Sequence, residues 1–231
     1  MGIEKSKPIF ELRHGFCALF CLICVLLPAR ATGEQAARVT FTLDFPGSEP
    51  SHYVINVSSD GHCGYDSSGK LTPDAEGDSF HLDFTLSAKT RGRIFDLAKR
   101  AHYFQGDVDS KKRNLASTGA KTLAYTDAQR SSQATYNYSS VPAIGELTQL
   151  FQNLSTTLEF GRRLEYFHRY QKLALDDELK HMEGMAQQNS LEELPAVGPI
   201  LKQIAEDPSV INPVRARAQR LLARAGVSLG P

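Results

Sequence analysis

Several residue groups in this 231-residue chain have the type and spacing to do chemistry. Glu165-x-x-His168 and Glu178-x-x-His181 are two carboxylate–histidine pairs, the kind that facing helices use to hold a di-iron centre. Both fall in one stretch of helical periodicity, 13 residues apart, which is about 20 Å along a helix. The segment 171–177 between them has neither Gly nor Pro to reverse the chain, so the expectation is two solvated helix faces and no shared metal. His52, His62, Cys63 and His81 lie on or beside strand patterns. Imidazole and thiolate suit zinc or copper, but no tight ligand spacing joins them, and ordinary sheet histidines are expected. His62 and Cys63 have the composition of a base and a nucleophile, yet adjacent strand residues point to opposite faces.

Other motifs stop short in the same way. Gly64-x-x-x-x-Gly69-Lys70 approaches a phosphate loop, but Leu71 stands where the magnesium-binding hydroxyl belongs. No Gly-x-Ser-x-Gly and no His-Glu-x-x-His is present. Arg215, Arg217, Arg220 and Arg224 form a basic run that reads as a solvated helix face. Asn56, Asn137 and Asn153 each open an Asn-x-Ser triplet, but Asn56 falls inside a strand pattern. No catalytic, cofactor-binding or metal-ligating residue is therefore assigned, no cofactor is expected, and the sequence favours a non-enzymatic role.

The N-terminus carries Lys5, Lys7 and Arg13, then an apolar run at 16–27, then Pro28 and Ala29-Arg30-Ala31. That order of basic lead, apolar run and small residues is a secretory signal, cleaved after residue 31. The run is too short for a membrane span of about 20 residues, and no second one follows, so no stable membrane insertion is expected after cleavage. Cys17, Cys21 and Cys24 follow Phe16, Phe20 and Ile23, which excludes a lipid-attachment site. The expected location is outside the cytoplasm, periplasmic or secreted.

Removing the leader leaves about 200 residues, enough for one ordinary domain with an appendage. The whole chain balances 26 basic against 26 acidic residues, and the mature part has a net charge of about −2. Nothing in that balance suggests nucleic acid. Of the four cysteines only Cys63 survives cleavage, so no intrachain disulfide can form; a lone Cys is most often a small buried side chain.

The elements that must position these residues divide the mature chain in two, a sheet region at 32–140 and a helical extension at 141–231. Val39, Phe41, Leu43 and Phe45 alternate with polar residues, as do Tyr53, Ile55 and Val57 before the Asp60-Gly61 turn. A short return strand at 62–65, a polar loop at 66–78 and a strong alternation of Phe80, Leu82, Phe84 and Leu86 follow. Ser87 caps an amphipathic helix at 88–103. A loop at 106–118 leads to a hairpin at 121–126 and 133–139. From Pro142 the period becomes helical. Ile144, Leu147, Phe151, Leu154 and Leu158 keep a seven-residue spacing, and Phe160, Leu164, Phe167, Leu175, Leu179, Met182 and Met185 extend it. This predicts one long helix, or two with a bend at Gly161. Two more helices, at 195–205 and 213–225, precede the Gly226 stop.

The segment 194–226 resembles a single HEAT-type helical repeat. Asp207 and Pro208 end its first helix, and Val214, Arg215, Ala218 and Leu222 open the second. About three repeats are needed for a free-standing solenoid, so one copy implies an element that packs on the long helix or contacts a partner. Residues 37–140 loosely resemble small exported bacterial domains of unknown function, which implies no activity.

The expected fold is α+β: a mostly antiparallel sheet of about four to six strands with a packed helix, followed by a long helix and a C-terminal helical hairpin. The expected function is an exported envelope or secreted protein that binds an unidentified protein, or itself, through the helical region, with 144–158 as a coiled-coil-like dimer face. The alternative is an extracytoplasmic small-ligand binder or enzyme whose site is assembled from distant residues. The two differ in what the structure must present: an exposed apolar patch on the helices, or a concave pocket with converging polar groups.

Overall fold

A computed structural model describes residues 36–71, 76–112 and 114–227. The signal sequence expected at 1–31 lies outside the described residues. The fold is α+β. Six strands, β1 (Arg38–Asp44), β2 (His52–Ser58), β3 (His62–Gly69), β4 (Asp78–Thr85), β5 (Ala120–Thr126) and β6 (Ser131–Tyr136), form one antiparallel sheet in the order β4-β3-β2-β1-β5-β6. The two-residue alternation decides which face is buried. Val39, Phe41 and Leu43 of β1, Tyr53, Ile55 and Val57 of β2, and Leu123 and Tyr125 of β5 all point inward.

Two strands depart from the sequence expectation. The polar stretch after Tyr65 is not a loop: β3 runs on to Gly69, paired with β2 and β4. Its inward hydroxyl, Ser67, is buried because a distant helix supplies its partner. Conversely, Phe80, Leu82 and Phe84 carry the strongest alternation but are only half-buried, since β4 is an edge strand with a neighbour on one side.

Helix α1 (Ala88–Arg100) follows β4. The Ser87 hydroxyl accepts the Thr90 N–H at 3.3 Å, and Lys99 and Arg100 lie in the last turn, where cations suit the helix dipole. It ends three residues before the expected 103 because His102, Tyr103 and Phe104 adopt positive φ. Helix α2 (Pro142–Tyr170) crosses the inner face of the sheet, and Phe151 stacks on Phe41 with centroids 5.1 Å apart. Ile144, Leu147, Phe151, Leu154 and Leu158 are fully buried there. The seven-residue spacing is therefore spent on the chain's own sheet, and 144–158 is not available as a coiled-coil face.

Gly161 does not divide the helix; α2 continues through it without a break. The glycine serves close approach instead, since a Cβ there would stand 2.6 Å from Val197 Cγ1. The break comes at Gln171 and a 3-10 turn, Lys172–Ala174, from which α3 (Leu175–Gln187) folds back along α2. Arg163 Nε donates to Glu178 Oε1 at 2.7 Å, and the Phe160 and His181 rings lie 5.2 Å apart. The chain thus reverses without Gly or Pro. Burial of Leu175, Leu179 and Met182 beside Phe160, Leu164 and Phe167 provides the driving force.

A 3-10 turn, Leu194–Val197, leads to α4 (Gly198–Glu206) and α5 (Asn212–Ala225). Gly226 closes α5 at φ 69°, the left-handed cap that glycine adopts without strain, and Val227 N–H reaches back to Leu222 O at 3.1 Å. Residues from 36 onward belong to one compact unit with two hydrophobic clusters. Helix α2 contributes to both. Among the described residues, no helix is long and apolar enough to cross a membrane.

Candidate functional site

The inner face of the sheet is mostly apolar, and α2 lays Ser155 and Glu159 over the inward hydroxyls of β3. Tyr65 hydroxyl donates to Glu159 Oε1 at 2.8 Å and lies 2.9 Å from Ser155 Oγ. Ser67 donates to the same Glu159 Oε1 at 2.7 Å. Behind Glu159, one turn along the helix, the buried Arg162 guanidinium pairs with Asp78 of β4 and lies over the Phe80 ring at 5.1 Å. Burial pushes the Tyr53 and Tyr65 hydroxyls well above their ordinary range, and the Glu159 carboxylate adds to the effect at Tyr65. Both phenols stay protonated, and Tyr65 donates to Glu159.

Three of these groups border a cavity of about 470 Å³, within the range of small-molecule sites. Tyr53, Ser155 and Glu159 form its floor, Glu49 and Pro50 of the β1–β2 turn one side, and Glu178, His181 and Met185 of α3 the other. Phe160 and Arg163 of α2 close it, with the Arg163 guanidinium 4.8 Å from the Phe160 ring.

The residues singled out from sequence fall elsewhere or are spent. The α2–α3 hairpin brings the two carboxylate–histidine pairs onto facing helices, but Glu178, His181 and His168 each take a different partner. Glu178 binds Arg163, His181 meets the edge of Phe160, and His168 Nε2 lies 2.9 Å from Asp207 Oδ2. On the sheet, His52 pairs with Asp44 at 2.5 Å and His81 with Asp66 at 2.6 Å, both on the outward face. Cys63 points inward, away from His62, and burial raises its thiol to about 11. Gly64 to Lys70 is mostly strand rather than a phosphate-binding turn. Among the described residues, no group of three or more His, Cys, Asp or Glu is arranged to hold a metal ion.

The basic run of α5 is also committed. Arg217 reaches Asp176 and Glu183, each at 3.0 Å, Arg220 reaches Glu183 at 2.6 Å, and Arg224 reaches Asn189 at 3.1 Å. Arg215 Nε is buried with no hydrogen bond among the described residues.

No protein-family model matches this chain, and no curated protein matches it.

The second feature of note lies at the far end of the helical region, where the α2–α3 turn meets the α4–α5 turn. Lys172 Nζ donates to Asp207 Oδ2 at 2.7 Å and to the Ser209 hydroxyl, joining the two turns. Around that polar clasp stand Tyr170, Leu173 and Ile211, which are 63%, 94% and 61% exposed. Among the described residues, the other large exposed apolar side chains, Leu115 and Tyr138, sit apart from it in the sequence, on the sheet side.

Sequence reasoning missed Glu159 and Ser155 because neither belongs to a motif and both lie inside a helical pattern. The signal was their position: Phe151, Ser155 and Glu159 recur at four-residue spacing, the spacing of one helix face. A polar residue on an otherwise inward face must have a partner across the core.

Proposed function

We propose that this chain is an exported, non-enzymatic protein that binds another protein through the far end of its helical region. Export rests on the basic, apolar and small-residue order of residues 1–31. The binding surface rests on one observation: Leu173, Tyr170 and Ile211 stand exposed around a single clasp between two turns. Leu173 at 94% exposure gains nothing from folding, and large apolar side chains that the fold leaves in water have the chemistry of interface residues ringed by polar groups. Lys172, Asp207 and Arg169 would form that polar rim. The resemblance of 194–226 to a HEAT-type hairpin supports the same reading, since such hairpins are contact elements.

A photo-crosslinking amino acid at position 173 tests this, with position 115 as an equally apolar control. The expected result is a discrete adduct from position 173, in extracts of the compartment where the protein resides, that disappears when Ile211→Glu is added. An identical adduct pattern from positions 173 and 115 refutes the assignment.

A further inference from the structure

The two edges of the sheet are finished differently. Strand β6 is polar up to Tyr136, and its Ser132 hydroxyl donates to the carbonyl of Tyr103 in the turn beside it. Strand β4 carries Phe80, Leu82 and Phe84, all half-buried, and among the described residues no backbone hydrogen bond joins it to any element but β3. Leu86 N–H reaches Gly61 O at 3.3 Å, which extends the β3–β4 register by one pair and fixes its phase. In an antiparallel ladder alternate residues turn both backbone groups to the same neighbour. Phe80, Leu82 and Phe84 therefore bond to β3, while Ser79, His81, Asp83 and Thr85 present N–H and C=O to the open side. Such an edge is a template for another strand.

We propose that β4 pairs with β4 of a second copy of this chain, antiparallel about a two-fold axis at Leu82, so that two sheets become one. This contact is separate from the helical-end surface proposed above.

The strand is complementary to its own reverse. About an axis at Leu82, His81 faces Asp83 of the second copy, Phe80 faces its Phe84 and Ser79 faces its Thr85. His81 and Asp83, and Ser79 and Thr85, are the residues with free backbone groups, so these pairs exchange the hydrogen bonds. On the outer face His81 Nδ1 lies 2.6 Å from Asp66 Oδ1 of β3, and the Asp83 side chain is 87% exposed. Pairing sets each imidazole between Asp66 and the Asp83 carboxylate of the second copy, an opposite-charge row across the strands. The neighbouring registers lack this match: an axis at His81 sets Asp78 against Phe84, and one at Asp83 sets two carboxylates together.

The inner face fits as well. A groove of about 440 Å³ lies between Phe80, Leu82 and Phe84 on one side and Leu158, Pro195 and Ile200 on the other. Asp83 and Thr85 also line it, although their side chains belong to the opposite face, so the groove opens at the edge of the strand. A two-fold axis normal to the sheet keeps both helical layers on one side and brings the apolar side chains of the second copy against this opening. Asp78 pairs with Arg162, whose guanidinium lies 5.1 Å from the Phe80 ring, so the start of the strand is anchored before a partner arrives.

Leu82→Cys tests the proposal in the chain from residue 32, which contains the whole compact unit. Position 82 faces itself across the axis, in a non-hydrogen-bonded pair whose Cα separation of about 4.5 Å suits a disulfide. The expected result of mild oxidation is a covalent dimer from Leu82→Cys, and from Phe80→Cys mixed with Phe84→Cys, but from neither of those two alone. Sedimentation equilibrium of the unmodified chain should show a monomer–dimer equilibrium that Asp83→Lys weakens by about tenfold, because two attractive pairs become repulsive. Circular dichroism should show that variant still folded, as expected of an exposed side chain. A monomer at every concentration overturns the inference and leaves the edge to an extended segment of a different protein. So does a Leu82→Cys chain that does not cross-link, or a dimer that Ile211→Glu dissociates and Asp83→Lys does not, since that dimer belongs to the helical end.

Discussion

The two hydrophobic clusters meet along α2 but are finished in opposite ways. Beneath the sheet, polar groups are carried into the interior and satisfied there: Tyr65, Ser67 and Ser155 around Glu159, and Lys121 with its ammonium bonded to Thr118, Gly119 and Asn137 oxygens. At the helical end the interior is apolar, and the charges fasten it from outside through Arg217, Arg220 and Glu183, and through Lys172 and Asp207. The difference teaches where specificity resides. An interior hydrogen bond fixes how α2 sits on the sheet, because a misplaced helix leaves a buried donor unpaired. Exposed ion pairs add little energy and tolerate small shifts. The sheet side is thus the more rigidly specified of the two, and the helical end is the more tolerant of small shifts.

The most severe way to break the comparison is to empty the apolar core where α2 meets the sheet. Phe151→Ala removes the ring stacked on Phe41 and is expected to cost about 3–5 kcal/mol in urea denaturation. Because α2 feeds both clusters, a single cooperative transition should remain. Two separated transitions would show that the clusters unfold independently. Next in size is Glu159→Gln, which takes the charge from a buried group that two hydroxyls and Arg162 address, for a loss of about 3 kcal/mol. Gly161→Ala acts where the two regions touch. Its Cβ collides with Val197, at an expected cost of about 1–3 kcal/mol, and Val197→Ala in the same chain should recover most of it.

The smaller effects belong to the outside of the helical end. Glu183→Gln removes the partner of Arg217 and Arg220 and should cost under about 1 kcal/mol, less still in about 1 M salt. A cost equal to that of Glu159→Gln would erase the distinction between the two regions. Asp207 gives the pH signature. The Lys172 ammonium, then Ser209, and finally His168 hold its carboxyl well below the ordinary value of 3.8. A carboxyl depressed by folding stabilises the native state above its unfolded value and loses that contribution as pH falls through the folded one. The melting-temperature gap between the wild type and Asp207→Asn should therefore be steady from pH 7 down to about 5 and narrow below about 4.

The strands of the sheet were legible because a two-residue alternation is a local property. Val39-x-Phe41-x-Leu43 and Tyr53-x-Ile55-x-Val57 announce both a strand and its buried face. The Ser87 cap and the Gly226 stop were legible for the same reason, since each acts on backbone groups a few residues away. The second half of β3 was not, because Asp66, Ser67, Ser68 and Gly69 have loop composition and are held by neighbours on both sides and by Glu159, 92 residues away. The reversal at Lys172–Ala174 was hidden too. It follows from apolar faces seeking each other, and no turn residue marks it.

The candidate cavity shows the same division. Each wall residue is unremarkable in its own segment: a glutamate in a helix, a proline in a turn, a histidine on a third element. The sequence by itself determined which side chains turn inward, because that is set by the period of the local backbone and the transfer of apolar surface from water. It also determined the Ser87 start of α1 and the Gly226 stop of α5. Only the tertiary structure decided that the 144–158 face meets the chain's own sheet, that α3 returns along α2, and that Glu159 finds Tyr65 and Ser67. Those outcomes depend on which distant surfaces compete best for burial and for hydrogen-bond partners, and that competition is settled among elements tens of residues apart.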